Sequence, residues 1–278
     1  MPELPEVEIV TRSLIPILKN KILTNFWTSD KNLRSQLSDY ECFILTNKKV
    51  KRIFRQAKYL ILELDNSWIL IHFGMTGKIT VSKVEQKVFI ANNKHVHCSF
   101  QAEDNFLYFQ DIRRFGGLYF VERSDEKNLF DSQLPFNFGI EPLSEKFNEN
   151  YIYLISRKVN MPIKAWLMKG IIAGIGNIYA SEALFRAGIN PNAKTKSLGI
   201  IRMSRLVNSI KFVLTEAIRS GGSTINNYSN IDGEAGNYAK KHMVYGRKDK
   251  FCLICNYMLD TKYIAQRSSF YCKKCQKF

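Results

Sequence analysis

Two sets of residues stand out for the chemistry they could do. The first is the opening run Met1-Pro2-Glu3-Leu4-Pro5-Glu6. Pro2 is small, so an aminopeptidase is expected to remove Met1 and expose a secondary amine. An α-amino group titrates near about pH 8, so part of it is unprotonated at neutral pH. Such an amine can attack an electrophilic carbon and form an iminium, as catalytic lysines do. Glu3, one residue on, is near enough to move protons if the fold buries it. Taken alone, the run reads better as a helix start, because proline is favoured in a first turn. The second set is Cys252-x2-Cys255, sixteen residues, then Cys272-x2-Cys275. This is the spacing of a four-cysteine zinc site. Four protein ligands close the coordination sphere, so the expected cofactor is one structural Zn2+, not a catalytic one.

Charge points to the partner. The 278 residues carry a formal net charge of +16. A balance this basic suggests nucleic acid or an anionic membrane surface. Residues 240–278 hold ten Lys/Arg against two Asp, half of the excess on about a seventh of the chain. Arg267 lies between the cysteine pairs. A solvated basic tail is the plain alternative, but the charge sits on an ordered element, which favours nucleic-acid contact. No apolar run approaches the roughly 18–20 residues of a membrane span. The N-terminus, with Glu3, Glu6 and Glu8, has no basic leader. Two Cys-x-x-Cys pairs, with Cys42 and Cys98 alone, suit a reducing compartment. A soluble, cytoplasmic protein is expected, with no membrane partner and nothing requiring more than a monomer.

Further candidates lie between these ends. Lys58 is placed at the opening of a strand, and Met75 at a glycine-flanked tip in His72-Phe73-Gly74-Met75-Thr76-Gly77. Arg113 and Phe115 share a turn bounded by Gly116 and Gly117. Singly, these are a solvated lysine, a surface methionine and a basic loop. Together they fit a DNA reader, since apolar wedges fill unstacked steps and Arg reads base edges or phosphates. His95, His97 and Cys98 fit no common zinc spacing. His95 and His97 alternate onto one strand face, which favours a structural role. Ala173-Gly174-Ile175-Gly176-Asn177 is a glycine turn entering a helix, a natural phosphate cradle.

The elements that must hold these residues follow from hydrophobic period. Val7, Val10, Leu14, Ile17 and Leu18 mark an amphipathic helix, with Pro16 expected to kink it or end it early. From about residue 20 to 125, eight short apolar runs imply strands of a β-sandwich or barrel: 22–27, 50–54, 59–64, 68–73, 78–81, 95–100, 106–109 and 117–121. Residues 125–150 read as a linker. Helices are expected over 145–156, 163–168, from Asn177 to Ala187, and along Met203 to Ile218, stopped by Ser220-Gly221-Gly222. Ser223 to Lys241 has no period and reads as a lid beside a pocket. The expected class is α+β and multidomain: residues 1–130 a β-sandwich with an N-terminal helix, 131–150 a linker, 151–241 helical, and 242–278 the zinc finger.

In this order the motifs resemble the formamidopyrimidine-DNA glycosylase family of bifunctional base-excision repair enzymes. The likeness rests on Pro2–Glu8, the Lys58 segment, His72–Gly77, Arg113–Gly116, Ala173–Leu184, Gly221–Thr224 with Asp232–Gly236, Val244–Arg247, and Gln266–Cys275. It implies a sandwich, a helix–two-turn–helix domain and a zinc finger, with duplex DNA between. It implies excision of oxidised purines (8-oxoguanine, formamidopyrimidines) and lyase action at abasic sites by β,δ-elimination. Residue by residue, it makes Pro2 the nucleophile and Glu3 a proton carrier. Lys58 becomes a phosphate contact and proton donor in β-elimination. Met75, Arg113 and Phe115 fill the void left by the flipped base. His95 becomes a DNA contact, overriding its structural reading. Asn177 and Arg267 grip flanking phosphates, with Arg267 linked to δ-elimination, and Thr224 caps the flipped purine. Two departures stand out. Met168-Lys169-Gly170 is one residue shorter than the family's segment before the glycine turn, and Ile112 replaces a proline. Two alternatives stay open: an endonuclease VIII-like enzyme for oxidised pyrimidines, favoured less by Leu4 and the long 223–241 segment, and a non-catalytic lesion binder.

Overall fold

The structure, a computed structural model, describes residues 2–122, 138–223 and 236–278. These form two compact units. One holds residues 2–122 with Ser223 and Gly236; the other holds 138–222 and 237–278.

The first unit opens with helix α1, Leu4–Leu18. Val7, Val10, Leu14 and Leu18 recur on one face and are fully or almost fully buried. Pro16 falls in the last turn, and the helix stops two residues later. Nine strands follow: β1 Ile22–Thr28, β2 Lys48–Lys49, β3 Arg52–Gln56, β4 Tyr59–Glu63, β5 Ser67–His72, β6 Lys78–Ser82, β7 Val96–Ala102, β8 Asn105–Gln110 and β9 Gly117–Glu122. They make two antiparallel sheets, ordered β2-β1-β7-β8-β6 and β3-β4-β5-β9. Leu23, Phe100, Leu107 and Phe109 of the first sheet share one core cluster with Leu60, Leu62, Ile69 and Ile71 of the second and with the α1 stripe. Ile61 and Leu70, on the opposite face of β4 and β5, are equally buried. A strand covered on both faces reads as an unbroken apolar run, as these do. All eight expected strands are present. Two seven-residue helices between strands, Asp39–Leu45 (α2) and Gln86–Asn92 (α3), have no counterpart in the sequence reading.

The second unit holds α4 Glu149–Arg157, α5 Ile163–Leu167, α6 Asn177–Arg186 and α7 Ile200–Arg219. The side chain of Asn148 caps α4 by accepting from the Tyr151 N–H. Eight consecutive residues of α6, Ile178 to Phe185, are buried. A helix covered all round lies at the centre of its unit. A 3-10 turn, Tyr238–Lys241, leads to a hairpin of β10 Asp260–Ile264 and β11 Arg267–Tyr271. Among the described residues no helix is long and apolar enough to cross a membrane. The shortened segment before the glycine turn closes with Gly170 at φ +83°, and α6 still begins at Asn177.

Candidate functional site

In the first unit, Pro2 is buried and Glu3 is 2% exposed at the N-cap of α1. Glu6, also 2% exposed, clamps this end. One of its oxygens accepts from the Glu3 N–H at 2.9 Å and the other from the Ser223 N–H at 2.9 Å. Glu6 was not singled out in the sequence, although its place three residues after the N-cap marks a capping position.

Lys58 does not open a strand. It is the second residue of a two-residue turn joining β3 to β4, where Gln56 faces Tyr59. Its neighbour Ala57 has φ +52°. Arg55 donates to Glu8 at 2.8 Å and to the Ala57 carbonyl at 3.0 Å. Tyr59 pairs across the sheet with His72, their rings 4.9 Å apart. Burial, with Lys58 and Arg34 adding to it against Asp111, pulls the His72 imidazole down to about 4. Its Nδ1 accepts from the Gly74 N–H at 3.1 Å, as only the neutral ring can. A neutral histidine beside Lys58 is a site feature that sequence spacing did not reveal.

Met75, Arg113 and Phe115 are gathered by one buried carboxylate. Asp111 is fully buried. Its Oδ1 accepts from the Thr76 hydroxyl and from the Arg113 N–H at 3.2 Å; Oδ2 accepts from the Gly116 N–H at 2.7 Å. The Met75 tip and the Arg113 turn are therefore one structure. A Cβ on Gly74 would lie 2.4 Å from the Gly116 nitrogen, so only glycine permits this approach. Arg114 sits at φ +56°, and the Arg113 guanidinium lies 4.7 Å from the Phe115 ring centre. Both side chains are exposed and Met75 is half-buried. An apolar wedge and a cation are thus presented on a rigid base.

His95 lies in a turn and not on the strand, although it lines one cavity together with His97. His95 precedes β7, and the register shifts between Val96 and Cys98. A bulge breaks the two-residue alternation. His97 is 1% exposed, with Nε2 donating to the Asp111 carbonyl at 3.0 Å and Nδ1 accepting from Ser29 at 3.1 Å. It braces the Asp111 turn. His95 is half-buried and lines a cavity of about 400 Å³ with Lys31, Lys94 and Arg114, a basic surface suited to phosphate.

The second unit joins Asn177 to Arg267. Gly176 is the N-cap of α6 and Asn177 its first residue. Asn177 Nδ2 donates to the Ser268 carbonyl at 3.1 Å, while its Oδ1 is buried without a partner among the described residues. Lys164, fully buried, donates to the Ser181 hydroxyl at 2.9 Å and to the same Ser268 carbonyl at 3.2 Å. Ser268 follows Arg267, which is exposed at the start of β11. The turn before it, Ala265-Gln266, has φ +49° and +58°. Glu182, 3% exposed, accepts from the N–H groups of Met243, Val244 and Tyr245 at 2.9, 3.0 and 2.8 Å. Neither Lys164 nor Glu182 stood out in the sequence, because their partners are distant along the chain.

The four expected cysteines converge. Their sulfurs all lie within 4.8 Å of one another, with Cys255–Cys272 at 3.5 Å and Cys252–Cys275 at 3.9 Å. A disulfide needs about 2.05 Å. Four sulfurs about 2.3 Å from a tetrahedral zinc lie about 3.8 Å apart, which these distances bracket. The Tyr257 N–H draws the Cys255 thiol down to about 7, while burial pushes those of Cys272 and Cys275 up, so the spacing of the sulfurs and not their titration marks the metal site. Among the described residues this is the one group able to hold a metal. Thr224 and most of the expected lid lie outside the described residues.

With that geometry in hand, comparisons bear on the whole chain. Residues 1–118 match the family described as the formamidopyrimidine-DNA glycosylase N-terminal domain, and residues 138–229 match the formamidopyrimidine-DNA glycosylase H2TH domain. The chain is 40% identical over 278 residues to the formamidopyrimidine-DNA glycosylase of Proteus mirabilis, covering 99% of this chain and 98% of that one. It superimposes with TM-score 0.87 on a Lactococcus lactis Fpg mutant in complex with Fapy-dG-containing DNA, at 30% identity and 100% coverage of both chains. It superimposes with TM-score 0.86 on MutM in complex with carbocyclic 8-oxo-G-containing DNA, at 29% identity and again 100% coverage of both.

Proposed function

This chain belongs to the formamidopyrimidine-DNA glycosylase family of DNA-repair glycosylases with AP-lyase activity, and from that premise we propose that it excises oxidised purines from duplex DNA through its N-terminal proline. Once Met1 is removed, the Pro2 nitrogen attacks the anomeric carbon of the damaged nucleotide and the base leaves. The iminium that remains loses the 3′ phosphate by β-elimination and the 5′ phosphate by δ-elimination. Glu3 carries protons in sugar-ring opening. Lys58 contacts phosphate and donates a proton in β-elimination; Arg267 serves δ-elimination. Met75, Arg113 and Phe115 occupy the place of the flipped base. His95, Asn177 and Arg267 hold phosphates, and Thr224 caps the base. The four cysteines hold one structural Zn2+, which organises the Arg267 hairpin and takes no part in bond breaking. The protein acts as a monomer on DNA inside the cell.

The observation that carries this reading is the buried Pro2-Glu3 pair at the start of α1, clamped by Glu6. Glu3 and Glu6 also form a capping box, so what supports the reading is the burial of proline and carboxylate together at one helix end. The wedge built on Asp111 supports base flipping, and the relatives solved with Fapy-dG and 8-oxo-G DNA favour purine lesions.

Borohydride trapping tests it. The Met1-processed protein is incubated with a duplex carrying one 8-oxoguanine opposite cytosine. The expected result is a covalent adduct mapped to Pro2. An adduct only on an oxidised-pyrimidine duplex moves the protein to the endonuclease VIII-like reading. Tight binding with no adduct on either overturns catalysis.

A further inference from the structure

We propose that Arg55 is a positioning residue for Lys58: a brace from Glu8 through Arg55 to the Ala57 carbonyl fixes the turn that presents this lysine. The inference rests on the role given to Lys58 above and adds to it the means by which the side chain is aimed.

The geometry is local to the first unit. Glu8 lies in the helix that begins two residues after Pro2. Its Oε2 accepts from Arg55 Nε at 2.8 Å, and its Oε1 accepts from Arg12 Nε at 2.8 Å, so both oxygens are engaged. The Arg55 side chain is only 7% exposed. A screened surface pair holds little, but a buried guanidinium that loses its partner is strongly destabilised. From the same guanidinium, Nη1 reaches the carbonyl of Ala57 at 3.0 Å. One planar group therefore ties the helix carrying Pro2 to the residue immediately before Lys58.

The turn needs such a tie. Ala57 stands at φ +52°, where an L-residue with a Cβ is strained and glycine is the usual choice. The Gln56–Tyr59 pair closes the two-residue turn but does not reach the Ala57 carbonyl, which Arg55 holds. Strain of this kind persists where surrounding contacts over-determine it, and it gathers at functional tips. Here the over-determining contact is Arg55. Lysine could keep the ion pair to Glu8 but, as a point charge, not the two-pronged bridge.

The test compares Arg55→Met, Arg55→Lys, Lys58→Ala and the Arg55→Met/Lys58→Ala double variant. Each is assayed for single-turnover nicking of a duplex with a preformed abasic site, with KM and melting temperature measured alongside. Misplacing a catalytic group by about 1 Å can cost about a hundredfold. Arg55→Met is expected to slow nicking about 10–100-fold with KM little changed. The double variant should be no slower than Lys58→Ala alone, since a misaimed lysine and an absent one are the same defect. Arg55→Lys should recover melting temperature but not nicking. Additive losses in the double variant, or nicking restored with melting temperature in Arg55→Lys, would reduce Arg55 to a structural residue and overturn the brace. If Lys58→Ala itself nicks at the wild-type rate, the role of Lys58 fails, and the brace with it; that single variant separates the two failures.

Discussion

Replacing Glu182 by leucine should release the root of the four-cysteine segment. Three backbone N–H groups in succession, of Met243, Val244 and Tyr245, end on this carboxylate, and it is 3% exposed. Val244, fully buried, belongs to the cluster that packs Phe185 against Cys252, Leu259 and Cys272. Leucine fills similar space but accepts nothing. A buried N–H left unpaired costs about 1–3 kcal/mol; only that of Val244 is fully buried, so the three together cost on the order of 2–3 kcal/mol. Glutamine divides the effect. Its carbonyl oxygen can stand where Oε1 serves Val244 and Tyr245, leaving its amide against the Met243 N–H. One bond is lost and two donors face each other, a cost of about 1–3 kcal/mol. The order is therefore wild type, then glutamine, then leucine. Urea unfolding followed by far-ultraviolet circular dichroism reads the helices of this unit, and Trp166, fully buried in α5, gives a second signal from the same unit. Hydrogen exchange should show protection falling first over residues 243–258. A leucine variant within about 0.5 kcal/mol of wild type would place it among ordinary surface substitutions and refute the reasoning. So would a glutamine variant as unstable as the leucine one.

Two further outcomes follow from the site. His72 is neutral in the folded chain, at about 4 by burial, and titrates near about 6.5 when unfolded. The unfolded chain therefore binds the extra proton first. Stability from this group is complete above about pH 6.5 and falls by up to about 3 kcal/mol as pH drops towards 4. His72→Asn should flatten that part of the urea stability–pH curve; an unchanged slope refutes the assignment. Chelating the proposed Zn2+ should loosen the Cys252–Cys275 segment and weaken DNA binding, while the sandwich stays folded. DNA affinity that survives chelation would remove the finger from the contact surface.

Much of the fold could be read because its strands stand out as short apolar runs. Strands such as β4 and β5 combine β-branched and aliphatic residues with sharp polar boundaries, so their extents were recoverable within a residue or two. The cysteine spacing alone pointed to the four-cysteine cluster, whose sulfurs converge as a metal site needs. The short helices were harder. Ser38 and Glu41 of α2 do form a capping box, with the Glu41 N–H on the Ser38 hydroxyl and the Ser38 N–H on the Glu41 carboxylate. Yet seven residues give too little period to show a face. In α3 no residue is buried at all. The bulge at His97 was invisible because one extra residue changes no composition, only register.

The supports of the candidate site were illegible for a different reason. Asp111, Glu182, Lys164 and Arg55 are charged residues whose roles depend on partners met only in the folded chain; spacing along a strand or helix says nothing of them. They nevertheless follow one logic. Three of the tips proposed to act on DNA sit beside a non-glycine residue held in the left-handed region: Ala57 before Lys58, Arg114 between Arg113 and Phe115, Gln266 before Arg267. A glycine at these positions would relieve about 1–2 kcal/mol of strain, and would be the natural choice for a turn that had only to turn. It would also free the tip to swing. In each case a buried charged group grips the backbone beside the strained residue: Arg55 on the Ala57 carbonyl, Asp111 on the N–H groups of Arg113 and Gly116, Lys164 on the Ser268 carbonyl. A rigid tip loses less entropy when it meets its ligand than a mobile one. The buried charges and the strained turns are therefore two halves of one device. The charges hold the turns in conformations the chain would otherwise leave, and the turns aim side chains that must arrive already in place.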